Sequence, residues 1–199
     1  AVSVANGLDA ERLHQHAAEI READKRFTDL RILAGVEVDI LKDGTLDLPV
    51  EVLSELDWVT ASTHFHLNLS NDEMTERLLA AVHSGVIHCL GHPLMRLIGQ
   101  RDPISFDMER VFKACVENNV YIEINAQPQR LDLPDNHCRS ARELGAMFAI
   151  DTDAHQTADL DLIRFGVGIA RRGWLRKSDI VNTRNTAELL NLKKDSRSD

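Results

Sequence analysis

The sequence predicts a parallel α/β fold, arranged as a barrel rather than as an open doubly wound sheet. Three observations carry this. Apolar runs of strand length alternate with amphipathic segments of helix length. Five of the runs end in histidine, carboxylate or other polar residues, as in a fold that gathers its chemistry at the carboxyl ends of many strands. The glycine-rich phosphate loop typical of a doubly wound nucleotide fold is missing from the sequence.

The elements follow in order. Asp9 is placed to cap a helix from about Ala10 to Phe27, with Leu13, Ala17 and Ile20 on its apolar side. Ile32 to Ile40 reads as a strand, and Pro49 opens a short helix through Leu56. Trp58 to Ser62 is a second strand. Asn71 is read as the cap of a helix whose first turn holds Asp72 and Glu73, where the helix dipole favours them. That helix carries Met74, Leu78, Leu79 and Val82, and Gly85 stops it. Val86 to Leu90 is a third strand. Asp107 caps a helix through Asn118, Val120 to Ile124 is a fourth strand, and a helix near Cys138 to Leu144 ends at Gly145. The apolar run Met147 to Ile150 is the fifth strand. A last helix lies near Thr186 to Leu192, and the tail from Lys193 to Asp199 is expected to fray. With no linker or repeat, residues 1–199 read as one domain.

Composition narrows the class. The chain has 199 residues, 43% hydrophobic and 28% charged, and no apolar stretch of bilayer-spanning length. Its formal charge of -9 argues against nucleic-acid binding through the overall field, although bound divalent metals would reverse the sign locally. Cys89, Cys115 and Cys138 are far apart and read as reduced thiols of a cytoplasmic protein. Nine histidines is the unusual count.

Strand ends hold the candidate ligands. Glu37 and Asp39 share one face of the first strand. The second leads into Ser62-Thr-His64-Phe-His66, the third into Gly91-His92-Pro93, the fourth ends at Glu123-Ile-Asn125, and the fifth at Asp151-Thr-Asp153-Ala-His155. Converging imidazoles and carboxylates suit Zn²⁺, Mn²⁺ or Fe²⁺, and such a metal can generate a hydroxide nucleophile near neutral pH. Glu37 stands out because an ion in an apolar run is costly unless paired or metal-bound. Asp39 reads equally as a solvated strand end, His64 as a loop histidine bonded to backbone, and Asp151 as a brace for its loop. His14 and His16 sit two apart in a helix and point different ways, so they are set aside. No Gly-x-Ser-x-Gly elbow or P-loop supports other hydrolytic chemistry.

Gly35-Val-Glu-Val-Asp-Ile40, Ala61-Ser-Thr-His64, Leu90-Gly-His-Pro93, Glu123-Ile-Asn125 and Asp151-Thr-Asp-Ala-His155 together resemble the PHP (polymerase and histidinol phosphatase) superfamily. Val4-Ala-Asn-Gly-Leu8, Gln129-Arg-Leu-Asp-Leu133 and the stretch from Gly166 to Leu175 resemble the carboxyl-terminal PHP domain of bacterial X-family DNA polymerases. The resemblance implies a distorted (β/α)7 barrel with divalent metals, manganese foremost, at its carboxyl rim. It implies phosphoester hydrolysis, as a 3′-5′ exonuclease acting at a DNA 3′ end or, alternatively, as a phosphomonoesterase on a phosphorylated small molecule. Carried over motif by motif, Glu37, His64, His92, Asp153 and His155 are metal ligands, with Glu37, Asp153 and His155 the catalytic core.

The sequence departs from the family at its start. The His-x-His motif on a first strand and the Asp-His pair after the second, which open the family pattern, are not found, His14-Gln-His16 lying in a helix, so the resemblance implies a partial PHP domain without its first strands and with several ligands missing. An inert remnant is therefore a competing reading. The resemblance further implies partner domains of a longer polymerase, and a barrel gap closed by a second copy or a complementing segment. Arg96, Arg130 and Arg171 are candidates to neutralise substrate phosphate, with Arg101 and the basic run from Arg171 to Lys177 beside them. Trp174 could stack on a base, but packing against a helix is the preferred reading.

Overall fold

Five parallel strands, in the order β1-β2-β3-β4-β5, form the sheet of this computed structural model, which describes residues 7–195 and side chains through residue 190. Val4, Ala5 and Asn6 of the first subgroup motif, and the tail beyond residue 195, lie outside the described residues. The strands are β1 (Gly35–Asp39), β2 (Trp58–Ser62), β3 (Cys89–Leu90), β4 (Tyr121–Asn125) and β5 (Phe148–Asp151). The helices are α1 (Ala10–Asp24), α2 (Val50–Leu53), α3 (Asn71–Val82), α4 (Met108–Glu117), α5 (Asp135–Glu143), α6 (Ile163–Arg172) and α7 (Thr186–Asp195). Each strand pairs with the next one in sequence, as the strand-helix alternation requires.

The resemblance implies a (β/α)7 barrel without its first strands; the described residues form a five-stranded parallel α/β sheet and no closed barrel. Their sheet has two ends, and each is partly covered from within the chain. Beside β1, Asp39 N–H donates to the Asp47 carboxylate at 3.1 Å and its carbonyl accepts from Asp47 N–H at 3.0 Å. Beside β5, the Asn182 amide pairs with both backbone groups of Ile150 at 2.8 Å each. The Asp47 side chain and backbone at one edge, and the Asn182 side chain at the other, thus take the place of a ladder partner.

Strand alternation divides the sheet into two faces. Val38, Ala61, Leu90, Ile122, Phe148, Ile124 and Ile150 are in register on one face and join the large core with Leu13, Leu53, Met74, Leu78 and Phe112. The other face changes character along its length. Towards the amino ends of the strands it is apolar, with Cys89, Tyr121 and Ala149 packed with Trp58, Met147 and Leu189. Towards the carboxyl ends it carries Glu37, Ser62, Glu123, Asn125 and Asp151, which is the site.

Several boundaries differ from the sequence reading, each for a local reason. α1 stops at Asp24 because that carboxylate turns inward, pairing with Arg31 and accepting from Ile32 N–H at 2.6 Å. The same bond keeps Ile32 out of β1. The cap of α3 is Ser70, one residue earlier than expected, closed reciprocally by Glu73. α5 begins at Asp135 directly after Pro134. α6 is absent from the sequence reading, since Gly166 and Gly168 lower the helix propensity of its middle. Gly166 is nevertheless required there: a Cβ at that position would lie 2.5 Å from Ile150 Cγ2 and 3.2 Å from Ala126 Cβ, so the helix meets the sheet only without one.

All three cysteines are buried and free. Burial raises each thiol above its ordinary range, Cys115 to about 12. We expect iodoacetamide at pH 8 to leave the native protein unlabelled and to add three carboxamidomethyl groups once the chain is unfolded, as counted by intact mass. Labelling of the native state would place a thiol at the surface. No helix among the described residues is long and apolar enough to cross a membrane.

Candidate metal centre

Three neighbouring strands deliver one ligand each. Glu37 leaves the middle of β1, His64 follows β2 by two residues, and His92 follows β3 by two. Their ligand atoms all lie within 4.8 Å of one another. The Nε2 atoms of both His64 and His92 stand 3.6 Å from the same oxygen, Glu37 Oε1.

The opposite ring nitrogens explain this aim. His64 Nδ1 lies 2.6 Å from Asp39 Oδ1. His92 Nδ1 lies 3.2 Å from Ser62 Oγ and 3.3 Å from Glu123 Oε2. With each Nδ1 held by an oxygen partner, the Nε2 lone pairs are free to face Glu37, as in carboxylate-anchored histidine ligands. Asp39 is 4% exposed, so the reading as a solvated strand end is replaced by that of an orienting group for His64. Two imidazoles and a carboxylate suit a borderline divalent metal, so the donor set fits the group that the sequence implied.

His92 is held most tightly. Its backbone N–H donates to the Glu123 carboxylate, and its φ of 23° lies where a residue with a Cβ is strained. Burial lowers the pKa of its imidazole, with Glu37 opposing, which favours the neutral ring that ligates metals. Gly91 precedes it because a Cβ there would come within 2.2 Å of Ser62 Oγ.

Behind the trio lies a buried acidic layer. Burial pushes Glu123 up to about 8, although bonds from Asp151 and the His92 backbone oppose this. Asp151 is raised by burial and then by the Glu123 charge, and its Oδ1 is buried without a hydrogen-bond partner. Asn125 Nδ2 bridges Glu123 Oε1 at 3.3 Å and Asp153 Oδ2 at 3.2 Å. Asp132, beneath the Leu94 amide, is raised by burial to about 6.

Asp153 and His155 lie outside the converged trio. Asp153 has a φ of 46° and faces Arg130, whose Nε is 3.8 Å from Asp153 Oδ2. The His155 side chain is 77% exposed, with Nδ1 2.8 Å from the Asp153 carbonyl oxygen. Arg130 is 16% exposed in its side chain, and its Nη1 is buried with no hydrogen-bond partner. Arg96 departs from its expected role. Its guanidinium donates to the carbonyls of Arg130, at 2.7 Å, and Leu131, bracing the loop that presents Arg130. Arg171 is exposed on α6.

Sequence reasoning missed Arg77. It is 2% exposed on the buried side of α3, and it donates to the carbonyls of Ile40 and Leu41 after β1 and of Phe65 and His66 after β2. One guanidinium thus ties together the two loops that follow Glu37 and flank His64. The signal was an arginine at a core-facing position three residues after Met74 and four before Ala81. Glu123 was named among the strand-end candidates but left out of the ligand set; the argument that singled out Glu37 applies to it as well, since it too interrupts an apolar strand.

The orienting role of Asp39 has a measurable consequence. We expect Asp39→Asn to weaken divalent-metal affinity by about 10- to 100-fold, read by calorimetric titration of the chelator-treated protein. Unchanged affinity would remove Asp39 from the centre.

Fold and site together define a class: an α/β protein with a histidine- and carboxylate-lined centre at the carboxyl ends of its strands. The chain is 40% identical over 188 residues to the DNA polymerase/3'-5' exonuclease PolX of Bacillus subtilis (strain 168), a match that takes in 94% of this chain and 33% of that protein. It is 31% identical over 155 residues to a "Probable phosphatase" of Photobacterium profundum, covering 73% of the chain and 60% of the relative. A "Probable phosphatase" of Aliivibrio fischeri is 31% identical over 170 residues, covering 80% and 66%. No family model matches the chain. The chain belongs to the PHP superfamily, and within it falls with the PHP domain of the bacterial X-family DNA polymerases. It spans about a third of the length of that polymerase relative. The relatives are named for two hydrolytic activities, exonuclease and phosphatase.

Proposed function

We propose that the protein is a divalent-metal-dependent phosphoesterase acting at the 3′ end of DNA. The observation that carries this is the pair of anchored imidazoles, His64 and His92, facing one oxygen of Glu37. In this reading Glu37, His64 and His92 hold a cation, manganese in the first instance, with zinc and iron as alternatives. Asp153 and His155 extend the ligand set. A cation held there supplies Lewis acidity towards a phosphoester and towards water. Arg130, with its unpaired buried Nη1, takes a non-bridging phosphate oxygen, since a guanidinium fork matches phosphate geometry. Asp153 holds that guanidinium in place.

The same reading makes the five parallel strands an arc of a PHP-type (β/α)7 barrel, residues 1–199 a partial PHP domain, and the setting cytoplasmic. Polymerase domains of a longer parent would supply further grip on DNA. A second copy or a complementing segment would complete the barrel, which light scattering tests directly.

Hydrolysis of a phosphorylated small molecule is the second reading, favoured by the phosphatase relatives. Manganese titration separates the two. Shortening of a 5′-labelled single strand from its 3′ end, faster than release of phosphate from p-nitrophenyl phosphate, supports the nuclease. The reverse ordering supports the phosphatase. No turnover of either substrate with any divalent metal would leave an inert remnant.

A further inference from the structure

We propose that the outer face of α6, from Arg164 and Phe165 to Arg171 and Trp174, docks a single-stranded polynucleotide leading away from the metal centre. The inference deepens the nuclease reading and rests on it for where the strand ends.

Trp174 carries the argument. Instead of packing against a helix, it is 63% exposed at a φ of 59°, and Arg139 of α5 lies 4.1 Å above its ring. At the other end of α6, Arg164 lies 5.0 Å over Phe165, itself 37% exposed. The rings of both arginine-on-aromatic pairs among the described residues thus lie on one helix and the turn that follows it. Phe165 and Arg172, the last residue of α6, are seven positions apart, about 10 Å along the helix axis, and Trp174 follows two residues later. An aromatic face beside a guanidinium is the pairing that single-strand binding uses, the ring for the base and the cation for the phosphate.

Charge supports the same occupant. Between Ile163 and Ser178 the chain has five basic residues and no acidic one, against a net charge of -9 overall. Of the acids packed nearby, Asp135 pairs with Arg172, Asp179 with Arg142 and Glu143 with Arg139. Arg171, Arg176 and Lys177 are exposed and form no ion pair among the described residues. A basic stripe on an acidic protein is a local electrostatic footprint for a polyanion.

Position links the stripe to the centre. The 3-10 turn Thr157–Leu162 runs from the His155 loop straight into α6, and the Asp159 carboxylate accepts from His155 N–H at 3.0 Å. Gly166 sits against Ile150 and Ala126, at the carboxyl ends of β5 and β4. The amino end of α6 therefore lies near the rim, and its carboxyl end packs on the first turn of α5, where Gly173 meets the Asp135 carbonyl and Cys138 Cβ. Nothing stands within 4 Å of a Cβ built on Gly168, so the face between the two aromatic pairs is open.

The test uses the full chain in chelator, with no metal present, and fluorescence anisotropy of labelled oligothymidylates of stepped length. Binding should tighten with length, and Trp174→Ala should weaken it about tenfold. Arg171→Gln should make the slope of log affinity against log salt shallower by about 0.7. Lys25→Gln, an exposed charge lost from the end of α1, should bind like the unaltered chain. If both surface variants bind as tightly as the unaltered chain, the proposal is overturned. Phosphatidylglycerol vesicles captured with the same Trp174 dependence, and oligonucleotides not, would equally overturn it in favour of a lipid surface. Trp174-dependent binding without hydrolysis in any divalent metal would uphold the docking face while removing the nuclease reading.

Discussion

Glu37→Gln is expected to abolish tight divalent-metal binding and to lower phosphoester hydrolysis by more than about a hundredfold. Loss of a residue that merely orients a metal ligand costs about 10- to 100-fold, and Glu37 is the oxygen donor that both imidazoles face. Glutamine keeps the shape and removes the charge, leaving two neutral imidazoles as a weak pair of donors. The side chain is 34% exposed, so the fold should tolerate the change, and thermal unfolding of the chelator-treated protein should be near that of the unaltered chain. Calorimetric titration with manganese reads the first effect, and release of nucleotide from a labelled strand reads the second. Metal affinity within a few-fold of the unaltered chain would show that the cation sits elsewhere.

Arg77→Met is expected to be the most destabilising single change outside the apolar core. The guanidinium satisfies carbonyls at Ile40, Leu41, Phe65 and His66 from a position that is 2% exposed. Each buried acceptor left unsatisfied costs about 1–3 kcal/mol, and some will recover water, so a net loss of about 3 kcal/mol follows. In a chain of this size that lowers the melting temperature by about 6–12 °C. Activity should fall further than stability accounts for, because the Leu41 and Phe65 loops carry the groups beside Glu37 and His64. Arg77→Lys should recover part of the melting temperature and little of the metal affinity, since a single ammonium does not span two loops. A melting temperature within about a degree of the unaltered chain would show that the loops hold each other without the arginine.

The contrast between these residues shows what a sequence can and cannot reveal. Glu37 is legible because a carboxylate inside Ile32-Leu-Ala-Gly-Val-Glu-Val-Asp-Ile40 violates the local pattern, and a violation in a buried strand requires a partner. His92 is legible for a similar reason, held between Gly91 and Pro93 directly after an apolar run. Arg77 is not, because an arginine between Glu76 and Leu78 on an amphipathic helix looks like part of the solvated face until the helix phase is known. α6 is hidden because its glycines argue against a helix locally, while their purpose, close approach to Ile150 and Ala126, is a contact with residues far away in sequence.

Trp174 and Arg96 make the same point in opposite directions. Local reasoning assigns Trp174 to packing because large aromatic groups are usually buried, yet it is exposed with a guanidinium above it. It assigns Arg96 to substrate because that residue follows the His92 turn, yet the carbonyls of Arg130 and Leu131 consume its donors. Neither outcome is coded in neighbouring residues.

By itself, then, the sequence determined the strand-helix alternation, the parallel sheet, the family, and the residue types at each strand end, because these depend on local periodicity and on motifs within a few positions. Tertiary structure alone decided which of those residues meet. Glu37, His64 and His92 are brought together by the register Glu37↔Thr60 and Thr60↔Cys89, and their aim is set by Asp39, Ser62 and Glu123 from three strands. Register and side-chain aim follow from contacts between residues 25 to 38 positions apart, such as Asp39 with His64 and Leu94 with Asp132. Such contacts leave no periodic trace in a single chain, since hydrogen bonds and packing act on distance in space rather than along the sequence.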